Sequence, residues 1–175
     1  MQIKAFFQVS VQIRIIHILT FLASVTLVLC LLIACDNSIM YEDVHHIEKA
    51  QWKAKDTILF HFTVTDTMQY YDFGFNIRNT TSYDYQNLYL FITAWYPGGT
   101  WSRDTAECIL AAPDGRWFGK GMGKIKDSRF VFRKKVRFRK SGKYSIGVNH
   151  AMRQVLLQGI SDIGIRIVKT ANSSQ

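Results

Sequence analysis

Between residues 57 and 169, apolar and polar side chains alternate in short runs that Gly, Pro, Asn and Asp interrupt repeatedly. Ile58, Phe60, Phe62 and Val64 share one side of a predicted strand, with Thr57, His61 and Thr63 on the other. Tyr71, Phe73, Phe75 and Ile77 repeat the pattern against Asp72, Gly74, Asn76 and Arg78, and Asn79–Asp84 then turns the chain. Leu88 to Tyr96 is the next strand, closed by Pro97-Gly98-Gly99. Thr105 to Ala112 is a short apolar run ended by Pro113-Asp114-Gly115. The clearest alternation puts Phe130, Phe132, Val136 and Phe138 on one face and Arg129, Arg133, Lys135, Arg137 and Arg139 on the other. Gly142 resets the chain before Tyr144, Ile146 and Val148. Met152, Val155 and Leu156 then stand at helical spacing and predict one short helix over His150–Gln158, before a last strand from Ile160 to Val168.

Seven or eight short strands, aromatic faces and one helix predict an all-β domain, a β-sandwich over 57–169. Jelly-roll and immunoglobulin-like wirings both satisfy the pattern. Residues 35–56 are mixed in charge with scattered apolar positions and read as a tether; residues 170–175 read as a frayed tail.

The N-terminus follows a different rule. Lys4 and Arg14 precede an apolar run from Ile15 to Ala34, and Asp36-Asn37-Ser38 turns polar at once. A basic start, an apolar middle and a small residue before the break describe a secretory signal peptide over 1–34. Leu32-Ile33-Ala34-Cys35 resembles the bacterial lipobox. There the cysteine thiol takes a diacylglyceryl group, the peptide is cut before it, and the new amine is acylated. An uncleaved anchor is the alternative, since ~20 apolar residues suffice to span a bilayer. Leu32, Ala34 and the abrupt polar change favour lipidation at Cys35.

Cleavage there changes the bounds. The remaining 141 residues, 20 of them basic and 13 acidic, carry a formal charge of +7 and suffice for one domain with its own core. With Cys35 lipidated, Cys108 has no disulfide partner. It reads as a core thiol, because no His or basic cluster marks it as reactive. A positive field favours anionic partners.

Ten of the basic residues lie between Lys124 and Lys143 with a single acid, Asp127. Strand period sends the aromatics of this stretch to the core, so they form no stacking platform, and export argues further against nucleic acid. An anionic glycan or lipid is the fitting partner for the basic strand; an outer strand guarded by charge is the plainer account. Gly119-Lys120-Gly121-Met122-Gly123-Lys124 lacks the Ser or Thr and the following helix of a phosphate loop, and reads as a glycine-rich hairpin or bulge. His45 and His46, flanked by Glu42, Asp43 and Glu48, point to opposite sides of an extended segment and have no second ligand cluster, so no metal is expected. His61 and His150 lack an acid-plus-nucleophile arrangement, and Asp104 and Glu107 are the one pair of carboxylates to note. No catalytic residue and no cofactor follow.

Larger blocks carry a resemblance. Arg78-Asn79-Thr80-Thr81 with Tyr83, Asn87–Ile92, Asp104-Thr105, Asp114–Gly121 and Val136-Arg137-Phe138 begin it. Ala151-Met152-Arg153, Leu157–Ile160 and Asp162–Ile167 complete it. With the lipobox, these resemble the gliding-motility lipoprotein GldH family of Bacteroidetes. The resemblance implies a non-enzymatic envelope lipoprotein linked to gliding and to secretion of surface proteins, with other envelope proteins as partners. Only Cys35 transfers as a defined site. The outer membrane is favoured, although Asp36 after the cysteine leaves the inner membrane open. An alternative is a binding module for an anionic envelope polymer or glycan, using the basic strand or Trp95, Trp101 and Trp117.

Overall fold

The computed structural model describes residues 17, 19–24 and 38–170. Two compact units divide the chain, Met1–Asn37 and Ser38–Gln175. In the first, the described residues are helical and exposed, and the hydroxyls of Thr20 and Ser24 donate to the carbonyls of His17 and Phe21. Cys35 and most of the expected signal segment lie outside the described residues. Among the described residues no helix is long and apolar enough to cross a membrane.

The second unit is all β. Its strands are β1 (Ile39–His46), β2 (Gln51–Lys53), β3 (Ile58–Val64), β4 (Tyr70–Thr80), β5 (Asn87–Trp95), β6 (Trp101–Ile109), β7 (Ile125–Arg137), β8 (Gly142–His150), β9 (Leu156–Gln158) and β10 (Ile160–Lys169). One sheet runs β1-β10-β4-β7, a second β3-β8-β5-β6, and β2 pairs with β9 between them in sequence. The pairing obeys one rule: β1 with β10, β2 with β9, β3 with β8, β4 with β7 and β5 with β6, all antiparallel. The domain is therefore a single long antiparallel ribbon with the β5–β6 hairpin at its tip. Rolling the ribbon adds the β4–β10 and β5–β8 ladders and closes two four-stranded sheets. That nested order is the jelly roll, so the immunoglobulin-like alternative falls.

Alternation explains the core. β3 buries Ile58, Phe60, Phe62 and Val64, and β10 buries Ile163, Ile165 and Ile167, all facing the gap between sheets. At one edge Tyr41 of β1 meets Phe62 of β3, ring centroids 5.2 Å apart, and closes the sandwich. Cys108 is buried on the inner face of β6, and burial pushes its thiol pKa up to about 12, which makes it an inert core residue.

Two sequence expectations are corrected. The tether contains β1 and β2, and it buries Ile47 and Trp52. β1 escaped notice because it is an edge strand whose residues from Glu42 to His46 are exposed; its strand character comes from pairing with β10. The helix expected over His150–Gln158 is absent. Val155 is 80% exposed while Leu157 is buried, and Leu156–Gln158 pairs with β2. Long-range pairing outweighed a short helical spacing.

His150 supplies a pH-dependent contribution. It is buried, its Nε2–H donates to the Trp52 carbonyl at 3.1 Å, and its Nδ1 has no hydrogen-bond partner. Burial pushes its pKa below the usual value, so the folded domain resists a proton that the unfolded chain accepts near pH ~6.5. The unfolded state then binds more protons, and stability declines as pH falls through that value. Urea midpoints between about pH 7.5 and 5.5 should fall less in His150→Gln than in the parent chain; equal slopes would contradict this.

Candidate functional site

The edge strands opposite β1 and β3 are β6 and β7, and the sheets part from there inward as far as Phe62. A cleft of about 520 Å³ opens between them, a size typical of small-ligand sites. Its deep wall is apolar: Phe73, Phe132 and Phe138 from one sheet, Ile92, Tyr144 and Ile146 from the other. Its mouth carries Arg133, Arg137, Arg139 and Lys140.

Bulges in β7 build this wall. Phe73 pairs with Arg133 and Gly74 with Val131, so Phe132 is an extra residue; Tyr71 pairs with Val136, so Lys134 and Lys135 both oppose Asp72. Lys135 has a positive φ of 54°, and its N–H donates to the Asp72 carboxylate at 2.9 Å. A bulge bends its strand and re-aims side chains. Here Phe132 packs against Phe73 and Phe75, and Phe138 reaches Phe62, Tyr71 and Tyr144. The even-numbered aromatics thus face inward as their alternation predicts. Arg133 departs from it. It lies opposite inward-facing Phe73, lines the cleft and pairs with Asp104, whose own ladder partner Ile92 is buried.

The Arg133–Asp104 ion pair spans the mouth from β7 to β6. The hydrogen bond from Arg133 holds the Asp104 carboxyl below its usual pKa. Both groups are half exposed, so the pair adds little stability and acts as a bridge. At the end formed by the turns, a side chain on Gly142 would lie 3.1 Å from the Pro97 ring, so the β7–β8 and β5–β6 turns touch. Arg137 donates to the Thr67 carbonyl at 3.0 Å, whereas Arg139 and Lys140 are exposed with no ion-pair partner among the described residues.

Other expected residues scatter. Arg129 and Lys134 are exposed on β7, and Asp127 is neutralised by Arg78 at 3.0 Å. Gly119–Lys124 leads into a hairpin in which Lys120 and Asp127 exchange backbone hydrogen bonds. Trp95 and Trp101 face each other across the β5–β6 ladder on the outer surface, with Arg103 stacked over Phe91 at 4.3 Å. Trp117 does not join them: it is partly buried against the core. His46 pairs with Asp162 at 3.0 Å, and among the described residues no cluster of three or more metal-ligating side chains forms. The cleft itself escaped sequence reading. Its one signal was Asp104, an acid on the inward-facing register of an apolar strand.

Comparison with known proteins adds a lineage. The family model described as GldH lipoprotein matches residues 39–167, from the first residue of β1 into β10. The chain is similar to a protein of Christiangramia forsetii named gliding motility lipoprotein GldH homolog, 34% identical over 79% of this chain and 89% of that protein. It is also similar to the gliding motility lipoprotein GldH of Flavobacterium johnsoniae, 31% identical over 78% of this chain and 89% of that one. Among solved structures, that of the infectious bursal disease virus Gx strain overlaps 80% of this chain and 34% of its own at 18% identity, with a TM-score of 0.31.

Proposed function

The chain belongs to the GldH lipoprotein family, and on that premise we propose that it is a non-enzymatic, lipid-anchored protein of the cell envelope. It is held through Cys35 and serves as an accessory or assembly component of the machinery for gliding and surface-protein secretion. The carrying observation is the extent of the match, which takes in the ribbon from β1 into β10. The signal-like segment ending in Leu32-Ile33-Ala34-Cys35 supports the anchor. Two or three acyl chains on one cysteine, at ~0.8 kcal/mol for each buried methylene, hold a domain where a single chain is marginal.

Deleting the gene should reduce display of secreted surface proteins, and abolish gliding where the host glides. Unchanged secretion and motility would remove the machinery reading. Restoring the gene as Cys35→Ser should yield a chain that takes up no labelled palmitate and is not cut before residue 35. A labelled, normally processed Cys35→Ser chain would refute the anchor.

A further inference from the structure

The cleft between β6 and β7 has a chemistry that narrows its occupant. Its floor is made of rings and aliphatic side chains, and the tyrosine hydroxyls among its lining residues are already engaged. The Tyr144 hydroxyl donates to the Lys140 carbonyl at 2.7 Å, and the Tyr96 and Ser102 hydroxyls bond each other at 2.6 Å. The unpartnered buried side-chain atoms among the described residues belong to Asn79, Ser128 and His150, none of which lines the cleft. A sugar would leave its hydroxyls without partners on that floor, at the cost of an unmade hydrogen bond for each. A peptide strand added to β7 would need a regular ladder, which the bulges of that strand interrupt. An apolar chain loses nothing there.

The mouth adds the second half of the specification. Arg137, Arg139 and Lys140 bring three cations to the lining from the end of β7 and the turn after it, while Asp104 is the acid in the lining and is already paired with Arg133. We propose that this cleft binds a single-chain anionic amphiphile. Its acyl chain lies among Phe73, Phe132, Phe138 and Ile92, and its carboxylate or phosphate head meets Arg139 and Lys140. The Arg133–Asp104 bridge and the Pro97–Gly142 contact frame the entrance, so the chain enters between β6 and β7 with its head left at the surface. The site stands on the domain's own geometry and is independent of lipidation at Cys35.

The test uses the full chain in isolated membranes and a palmitate analogue with a photoactivatable diazirine on its chain, with crosslinked peptides mapped by mass spectrometry. Label should appear in peptides holding Phe73, Phe132 or Phe138. Excess palmitate or a single-chain phosphatidylglycerol should remove it, whereas hexadecanol, which lacks the charge, should not. The stronger of the two anionic competitors identifies the head as carboxylate or phosphate. The double variant Arg139→Glu, Lys140→Glu alters exposed side chains only, and should lower cleft labelling roughly tenfold while labelling of other proteins in the same membranes stays constant. Ala94→Phe, on the inward face of β5, should block the cleft without changing charge. Label confined to peptides that do not line the cleft, equal competition by hexadecanol, or insensitivity to the charge reversal would each overturn the proposal.

Discussion

Gly74→Ala is expected to destabilise the domain by about 3 kcal/mol, although it adds one methyl group. A Cβ at this position would sit 2.2 Å from the Phe130 carbonyl oxygen on the neighbouring strand, far inside contact distance. The obstacle is backbone, so no rotamer change relieves it; β4 and β7 must separate. The reason lies in β7, whose register shifts beside Gly74 and carries its main chain across that Cα. Gly147→Ala is the informative control. Its added Cβ would meet Thr57 and Trp95 side chains at 2.8 and 2.9 Å, on the outer face, where both can shift. Urea denaturation should place Gly74→Ala well below Gly147→Ala in midpoint at unchanged slope. A reversed order would mean that β7 is not held against β4 as described, and would undo the account of the cleft wall with it.

Much of this was legible along the chain, for a physical reason. Strands buried on one face must alternate, and β3, β4, β5 and β10 announce themselves by doing so. β6 is half legible: its apolar end stands out, while Trp101 to Asp104 shows no alternation that assigns it to an element, Ser102, Arg103 and Asp104 being polar. The same three residues line or flank the cleft, so the point where the pattern failed is the point where the sandwich opens. β7 was read as one smooth strand, since two bulges close together restore the parity that either alone would reverse. Nothing local marks them except the positive φ of Lys135, which a sequence does not display. Sheet order was also hidden. The nested pairing joins residues such as Glu42 and Arg166, 124 positions apart, whose ion pair lies within the outermost ladder of the ribbon.

Trp52→Ala should be the most damaging substitution in the N-terminal part of the domain, costing about 3–5 kcal/mol. For a domain of this size that corresponds to a fall in Tm of roughly 10–20 °C. The indole is 2% exposed and stands in the shortest ladder of the fold, opposite Leu157, where β2 and β9 share three residue pairs. Its ring NH donates to the Asp56 carbonyl at 3.0 Å, and its edge meets the His150 ring at 5.5 Å. Removing it leaves a cavity and frees an acceptor in the one segment where the ribbon has no neighbouring strand to support it. Backbone pairing there is too brief to hold alone, so the side chain does what a longer ladder does elsewhere. Trp52→Phe keeps most of the ring and should recover more than half of the loss. The pair of variants decides how the segment 39–53 is attached. If it were a tether, Trp52→Ala would leave the melting curve in place; as the outer turn of a rolled ribbon, it must carry its share of the core.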